Sequence, residues 1–265
     1  MTISILNQLE RTGSMLEQIS QVQKFFAQQF EFENLDVLLT NEEPITEQYL
    51  QDKMIIRGRG GLCYELNGLL YLVLRDLGFP VQLAAATIWV QPRNSYTLDR
   101  THVVNLLEYG GVLYLIDSGF GSNLAMQPVA LDGDPVTSPA GTFRLRTGTT
   151  EKGTMVFEQL TDSGWKRRYG LYPDEIEWSH IDHVKHQIHH SPESSFNKAL
   201  LIAKVTDDGT YSINDKRFHS KGSGTEETLP FQDPAELLDQ VRQHAAPAVY
   251  EAVEHYINQQ KPSCN

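Results

Sequence analysis

The sequence predicts an α+β fold of several domains, in which helices come first, β-strands follow and both kinds of element occur at the end. Apolar residues recur at helical spacing until a stop formed by Gly78 and Pro80. Short apolar runs separated by glycine, proline, serine and aspartate come next, and the pattern becomes mixed from Pro173. These changes predict a helical domain over 1–80, a β-meander or small β-barrel domain over 81–172, and an α/β domain over 173–265.

Composition and charge favour a small molecule as the binding partner. The 265 residues are 40% hydrophobic, which is typical of a globular protein, and carry a formal net charge of -12. A surface with this excess of negative charge repels nucleic acid and anionic membranes. No apolar run reaches the ~20 residues that span a bilayer, and the first residues lack the pattern of a signal peptide. The sequence therefore predicts a cytoplasmic protein with neither nucleic acid nor a membrane as partner.

The helical domain begins with two runs of apolar residues at helical spacing, separated at Gly13 and Ser14. Ile5 and Leu9 belong to the first run, and residues 15–30 form the second. The segments that follow are predicted, in chain order, as a turn or loop over 30–38, a short helix over 44–53, and a helix that begins at Cys63 and ends at Gly78.

Cys63 lies where a glycine-rich loop with two arginines meets the start of this last helix. Unpaired N–H groups at a helix N-terminus, together with Arg57 and Arg59, would lower the pKa of a thiol there and make it a nucleophile. A buried structural cysteine is the other interpretation, and this segment alone leaves both open. Cys264 has no such surroundings, and nothing in the pattern supports a disulfide between the two cysteines.

The middle and last domains are predicted from shorter patterns. Gly110 and Gly111 suit a two-residue hairpin turn between two strands. Asp233 suits an N-cap, with Pro234 at the first helical position and Glu236 completing a capping box. Predicted strands cover 81–90, 101–108, 112–117, 142–147, 153–160, 166–171, 198–205 and 210–213, and predicted helices cover 176–190 and a last segment from Pro234 onward.

The hairpin predicts a contact between His102 and Asp117. With a two-residue turn, Val104 lies opposite Asp117, and His102 and Asp117 are diagonal neighbours on one face of the sheet, roughly 7 Å or less apart at Cβ. A three-residue turn would place them on opposite faces. Each residue alone is ordinary, but a cysteine at a helix start facing a histidine and an aspartate on a sheet is the geometry of papain-like thiol chemistry.

A second polar cluster lies on the helix predicted over 176–190, where His180, His183, His186 and His190 share one stripe. The stripe lacks the spacing and the carboxylate of a zinc motif, so we interpret it as a solvated helix face and predict no metal. The glycines around Arg59 have neither the spacing nor the preceding strand of a phosphate-binding loop.

Three segments of the chain resemble the arylamine N-acetyltransferases. The resemblance is carried by Arg59-Gly60-Gly61-Leu62-Cys63-Tyr64-Glu65-Leu66-Asn67, Thr101-His102-Val103-Val104-Asn105-Leu106 and Leu115-Ile116-Asp117-Ser118-Gly119-Phe120-Gly121. Residues 32–35 and 191–196 are similar to two flanking segments of the family. The resemblance runs from about residue 30 to residue 204.

The resemblance implies a fold and an activity. The implied fold has a helical domain with Cys63, a β-barrel domain with His102 and Asp117, and an α/β lid. The implied reaction is a ping-pong transfer in which Cys63 takes an acetyl group from acetyl-CoA and passes it to an arylamine or arylhydrazine. His102 then moves the proton and Asp117 holds the imidazole ring. No metal is implied.

The resemblance also implies further site residues. Three aromatic side chains in the matching segments are expected to line a slot for the acceptor amine, and three residues near the histidine and the aspartate are expected to contact CoA. The acceptor residues are Phe32, Phe120 and Phe196, and the CoA residues are Thr101, Gly119 and Gly121.

Three other functions share these residue types. An amide synthase of the same superfamily would release an acyl chain from a carrier. A thiol hydrolase or transglutaminase-like enzyme has the same chain order of cysteine, histidine and aspartate. A binding module could keep the fold with an idle triad.

Overall fold

The structure is a computed structural model that describes residues 12–222 and 224–260. The predicted helical run with Ile5 and Leu9, and also Cys264, lie outside the described residues. Within them, the helices are α1 (Met15–Gln29), α2 (Leu35–Leu38), α3 (Glu47–Leu50), a π-helical segment (Gln51–Ile56), α4 (Cys63–Asp76), a 3₁₀ turn (Gln91–Arg93), α5 (Ser179–His190), α6 (Pro234–His244) and α7 (Pro247–Gln260).

The β-strands of the described residues form two sheets. In chain order the strands are β1 (Phe32–Glu33), β2 (Val81–Val90), β3 (Ser95–Tyr96), β4 (His102–Tyr109), β5 (Val112–Ile116), β6 (Val129–Ala130), β7 (Val136–Ser138), β8 (Gly141–Thr150), β9 (Gly153–Thr161), β10 (Gly164–Glu175), β11 (Leu201–Val205), β12 (Gly209–Asn214), β13 (Arg217–Gly222) and β14 (Thr225–Pro230).

The larger sheet is an almost closed antiparallel barrel. Its strand order is β6-β5-β4-β2-β10-β9-β8-β7, with β3 paired to β2. A bridge between Leu131, just after β6, and Leu145 of β8 joins the two ends of the sheet. The prediction of an α+β fold with a central barrel is confirmed, whereas the domain boundaries at residues 80 and 172 stay predictions.

The hairpin of β4 and β5 has the predicted turn. Tyr109 lies opposite Val112, so the turn consists of Gly110 and Gly111 alone. Both glycines have positive φ, 63° and 76°, which is the conformation of a type I′ turn. The register runs to Asn105 opposite Ile116, and the start of β4 therefore faces the residues that follow β5.

Helix α4 packs against this hairpin and thereby positions its own first residue. Leu66, Leu70 and Val73 are buried in one apolar cluster with Val103 of β4 and Leu83 of β2. The burial of this stripe holds the start of α4 beside the start of β4, where His102 lies. Among the described residues, no helix is both long and apolar enough to cross a membrane.

The prediction of a turn or loop over 30–38 is wrong in part. Phe32 and Glu33 form β1, which lies opposite Ala203 and Ile202 of β11, and α2 follows it directly. The resulting sheet has the order β1-β11-β12-β13-β14. A strand of two residues is too short to show an alternating pattern in the sequence. Its hydrogen-bonding partner, β11, lies about 170 residues further along the chain, so no neighbouring segment indicates it either.

The end of the chain holds more elements than predicted. Strands β13 and β14 were not predicted, because β13 has one buried apolar residue, Phe218, and residues 225–230 of β14 are exposed throughout, so neither shows apolar alternation. The helix predicted from Pro234 is α6, and a separate helix, α7, follows it. Asp233 caps α6 through Ala235 N and Glu236 N as expected, but the Glu236 carboxylate accepts from Gln232 N (2.7 Å) and not from Asp233.

Candidate active site

Cys63 is the first residue of α4 and is buried, with 5% of its surface exposed. Its Sγ lies 3.5 Å from the carbonyl oxygen of Thr101, the residue that precedes β4. Glu65, two residues along α4, accepts a hydrogen bond from Leu62 N (2.9 Å) and so fixes the turn before the cysteine. The sulfur is therefore held rigidly against the end of the barrel.

His102 and Asp117 make the contact that the hairpin register predicts. His102 Nε2 donates to Asp117 Oδ2 over 2.8 Å, and both residues are buried. With Nε2 bound to the carboxylate, Nδ1 is the nitrogen left for the thiol of Cys63. The order cysteine, imidazole and carboxylate is that of a thiol-dependent nucleophile with its base and orienting group.

The Asp117 carboxylate accepts hydrogen bonds from two further side chains. Asn67 Nδ2 donates to Oδ1 over 2.8 Å, and Tyr169 OH donates to Oδ2 over 2.9 Å. The backbone N–H of Gly119 donates to Oδ1 as well (2.8 Å). With His102, both oxygens of Asp117 therefore have two donors each, which fixes the carboxylate in one orientation.

These contacts set the pKa values of the pair. Burial alone would lower the pKa of His102, but the charge and hydrogen bond of Asp117, together with the neighbouring Cys63, raise it to about 10. Burial opposes the ionisation of Asp117, yet His102, Asn67 and Gly119 hold the pKa of its carboxyl below the ordinary value. At neutral pH the pair is therefore an imidazolium and a carboxylate.

Gly119 lets the loop after β5 approach α4. A Cβ atom at this position would lie 2.7 Å from both Cys63 Cα and Asn67 Nδ2, closer than side-chain carbons pack. Asn67 also accepts a hydrogen bond from Ser118 N through its Oδ1 (2.9 Å), so α4 and this loop are tied at two adjacent residues. A larger residue at 119 would separate Asp117 from the helix that carries the cysteine.

The two arginines before α4 differ in their surroundings. Arg59 pairs with Glu33 (2.7 Å) and Asp36 (2.9 Å), so carboxylates offset its charge. Arg57 is exposed, and its Nε donates to Asp52 O (3.3 Å). The prediction that both add positive field at Cys63 is therefore wrong for Arg59, because one cation faces two anions there.

Arg59 belongs to a buried network of charges on the far side of α4 from Asp117. Lys53, which is 1% exposed, bonds Glu65 and lies 3.0 Å from Asp36. Burial alone would lower the pKa of Lys53, but three carboxylates, Glu65, Glu33 and Asp36, raise it. The ammonium therefore stays charged, and its partner Glu65 is the residue that fixes the turn before Cys63.

Cys63 and His102 open onto a cavity of about 410 Å³, within the size range of small-molecule sites. All six residues predicted to contact the donor or the acceptor line this cavity. They are Phe32, Thr101, Gly119, Phe120, Gly121 and Phe196. Their individual roles stay predictions.

The cavity is largely apolar. The ring of Phe120 lies 5.3 Å from the ring of His102, and the rings of Phe32 and Phe196 meet edge to face at 5.8 Å. Apart from His102, Glu193 is the one charged side chain on its wall among the described residues. The site can thus hold a flat, uncharged molecule next to the thiol.

The histidine stripe of α5 holds no set of metal ligands among the described residues. His180 Nε2 donates to Arg100 O (3.1 Å), and the rings of His186 and His190 lie 4.6 Å apart.

Sequence reasoning missed Asn67 and Tyr169 as site residues. Asn67 could have been found, because it lies four residues after Cys63 and hence on the same side of α4. Tyr169 could not, because it reaches Asp117 only through the closure of the barrel, 52 residues further along the chain.

Comparisons with known proteins agree with this geometry. A family model described as N-acetyltransferase matches residues 15–246. The uncharacterized acetyltransferase YvcN of Bacillus subtilis (strain 168) is 38% identical over 195 residues, which are 74% of this chain and 77% of that protein. The crystal structure of arylamine N-acetyltransferase C from Bacillus anthracis is similar with a TM-score of 0.83 and 31% identity, over 89% of this chain and 93% of the other.

A second solved structure is described with a different carboxylate residue in its catalytic triad. The arylamine N-acetyltransferase NAT3 from Bacillus cereus superposes with a TM-score of 0.82 and 31% identity, over 89% of this chain and 92% of the other. Its structure is described as revealing a unique Cys-His-Glu catalytic triad. The corresponding carboxylate candidate in this chain is Asp117.

Proposed function

This chain belongs to the arylamine N-acetyltransferase family, and on that premise we propose that it transfers an acetyl group from acetyl-CoA to an aromatic amine or hydrazine through Cys63. One observation carries the proposal. A buried cysteine and a histidine lie on the wall of an apolar cavity, and a buried aspartate with four hydrogen-bond donors holds the histidine from behind. Each supplies one part of a two-step acyl transfer.

In the first step Cys63 Sγ, with its proton held by His102, attacks the thioester carbonyl of acetyl-CoA. The carbonyl π electrons move to oxygen, and N–H groups in the first turn of α4 are the donors assigned to that oxyanion, because the first N–H groups of a helix have no partner within the helix. Collapse of the adduct breaks the bond to the CoA sulfur. His102 protonates that sulfur, and acetyl-Cys63 remains.

In the second step the amine nitrogen attacks acetyl-Cys63. His102, now neutral, accepts the amine proton, and the bond between the acetyl carbon and Sγ breaks. The electron pair returns to Sγ, so the imidazolium and the sulfur are restored as they began. Asp117 holds the ring through Nε2 in both steps, because its other three donors leave it one orientation.

The wall of the cavity supports an aromatic acceptor. Phe32, Phe120 and Phe196 give faces and edges against which a flat ring packs. An aromatic amine is mostly unprotonated at neutral pH, so it enters an apolar slot without the cost of desolvating a cation. Aliphatic amines of equal size, which are cationic at that pH, are expected to be poorer acceptors.

Intact-mass spectrometry tests the proposal directly. Purified protein incubated with acetyl-CoA should gain the mass of one acetyl group, and addition of an arylamine should remove it and form the acetylated amine. Cys63→Ala should gain nothing. Cys264→Ala is the matched control, because it removes the chain's other cysteine, and it should behave as wild type.

Other outcomes select among the alternatives. Loss of the acetyl group to water at the same rate with and without amine would identify a thiol hydrolase. Acylation by a carrier-protein thioester but not by acetyl-CoA would identify an amide synthase. No adduct from any donor would contradict enzyme function altogether. Cytoplasmic location and the lack of nucleic-acid and membrane partners stay predictions.

A further inference from the structure

Arg168 lies at an irregularity in the wall of the barrel. In β10, Arg167 pairs with Glu158 and Tyr169 pairs with the adjacent residue Phe157, so Arg168 is an extra, unpaired residue. Such β-bulges re-aim side chains and are common next to active sites. This bulge directly precedes Tyr169, whose hydroxyl donates to Asp117.

Among the described residues, Arg168 differs from Arg144 and Arg146 in having no anion, and from Arg167 in having no aromatic ring to stack on. Arg144 and Arg146 both pair with Glu158, and Arg167 stacks on Trp89. Within the described part of the chain, the guanidinium of Arg168 donates only to the amide oxygen of Gln159, through Nη2. Its Nε is buried and has no hydrogen-bond partner there. Burial lowers its pKa. A half-buried cation in this state favours the arrival of an anion.

The side chain of Arg168 lines a second cavity, of about 790 Å³, between one end of the barrel and the start of β12 with the adjacent β13–β14 turn. Ser122 and Asn123 line both this cavity and the catalytic one, so the two adjoin. Lys221 is a second cation on the wall. The carboxylates on the wall, Asp162, Asp208 and Glu226, are all exposed to solvent, unlike the guanidinium Nε.

We propose that Arg168 anchors an anion subsite that takes the phosphate groups of the CoA donor. The inference rests on the proposed function. A thioester carbonyl at Cys63 places the pantetheine arm in the catalytic cavity, and the phosphorylated nucleotide must then leave it through an adjoining space. The passage beside Ser122 and Asn123 leads to Arg168, whose guanidinium Nε is buried without a hydrogen-bond partner among the described residues. A guanidinium binds phosphate oxygens in pairs, which a lysine does not.

A series of acetyl donors tests the subsite. Acetyl-CoA carries a pyrophosphate and a 3′-phosphate, acetyl-dephospho-CoA keeps the pyrophosphate, and acetyl-pantetheine has no phosphate. KM is measured for each with one arylamine as acceptor. In wild type, KM should rise along this series; in Arg168→Gln the preference for acetyl-CoA over acetyl-pantetheine should shrink about tenfold, the size of a charge-assisted hydrogen bond. The donor at which the preference is lost identifies which phosphate is bound.

Two further variants complete the design. Arg168→Lys keeps the charge without the paired donors and should fall between wild type and Arg168→Gln. Arg146→Gln removes a positive charge from the same barrel wall outside this cavity and should keep the wild-type preference. Raised ionic strength should increase the KM of acetyl-CoA in wild type and less so in Arg168→Gln.

The results separate the two proposals. An unchanged donor preference in Arg168→Gln, with wild type active, would overturn the subsite and leave the transferase intact. Absence of acetyl-Cys63 in wild type would overturn the transferase itself. A misfolded Arg168→Gln would lose turnover with every donor equally. In that case the donor preference of Arg168→Lys and the salt dependence of wild type test the subsite, and wild-type values of the first with no effect of salt on the KM of acetyl-CoA would overturn it.

Discussion

Two buried clusters of charge flank the start of α4 and use charge in opposite ways. On one side Glu33, Asp36 and Glu65 surround Lys53 and Arg59, so every charge has an opposite charge in contact. On the other side Asp117 has one charged partner, His102, and its remaining donors, which include the Tyr169 hydroxyl, are neutral. In the first cluster the lysine and the arginine stay protonated, whereas in the second the imidazole of His102 can give up and take back a proton.

Helix α4 contributes one residue to each cluster. Glu65 bonds Lys53 and the turn before the cysteine, and Asn67 bonds Asp117 and the loop after β5. Cys63 is thereby fixed from both sides. The comparison teaches that a network of lysine and arginine ion pairs holds the helix that carries the cysteine, while an ion pair whose cation is a histidine can supply the acid and the base.

The largest effect is expected from Asp117→Asn. An amide cannot hold the imidazolium and favours the wrong ring tautomer, so kcat/KM should fall roughly 10³–10⁴-fold, as in other triads. The rate of acetyl-Cys63 formation measures this. Asp117→Glu is the control: since the Bacillus cereus relative is described with a glutamate in its triad, this variant should keep more activity than Asp117→Asn. Equal losses in both variants would assign Asp117 a purely structural role.

Glu65→Gln should act on stability first. It leaves the buried Lys53 with one carboxylate in contact, Asp36, instead of two, at a cost of about 1.5–3 kcal/mol in the free energy of unfolding. Urea denaturation measures this, with exposed Glu47→Gln expected to stay within about 0.5 kcal/mol of wild type. Activity per folded molecule should fall far less than in Asp117→Asn. A stable Glu65→Gln protein would show that the network of charges does not support α4.

The pH dependence of the free energy of unfolding should report the ionisation of His102. Its folded pKa of about 10 lies above the ordinary value of 6.5, so the stabilisation is complete below pH 6.5 and is lost as pH rises toward 10. Unfolding free energies of wild type and His102→Gln should therefore differ most near pH 6 and converge by pH 10. A difference that stays constant across this window would show that His102 is neutral in the folded protein.

The smallest effect is expected from Tyr169→Phe. Burial and Asp117 raise the pKa of Tyr169 above its ordinary value, so its hydroxyl donates at every working pH. Removal of this donor should lower kcat roughly fivefold, the value of about 1 kcal/mol for one hydrogen bond, with the KM of the amine unchanged. Tyr172→Phe on the same strand is the exposed control. A rise in KM without a fall in kcat would show that Tyr169 shapes the pocket instead.

Local sequence determined a large part of the site. Apolar spacing and the Gly78 stop defined α4, and the paired glycines at 110 and 111 set a register that brings His102 to Asp117. Both are short-range effects, in which backbone conformation and side-chain period depend on neighbouring residues. The matching segments around these residues then indicated the family, which the comparisons confirm.

Only the tertiary structure decided what surrounds those residues. Barrel closure brings Tyr169 to Asp117 and aims Arg168 into a second cavity, β1 pairs with a strand far along the chain, and Arg59 meets Glu33 and Asp36 instead of acting on Cys63. Hydrogen bonds and ion pairs between distant segments depend on how the elements pack, which no local pattern specifies. The sequence by itself therefore predicted which cysteine, histidine and aspartate meet at the site, and the fold determined the groups that hold them.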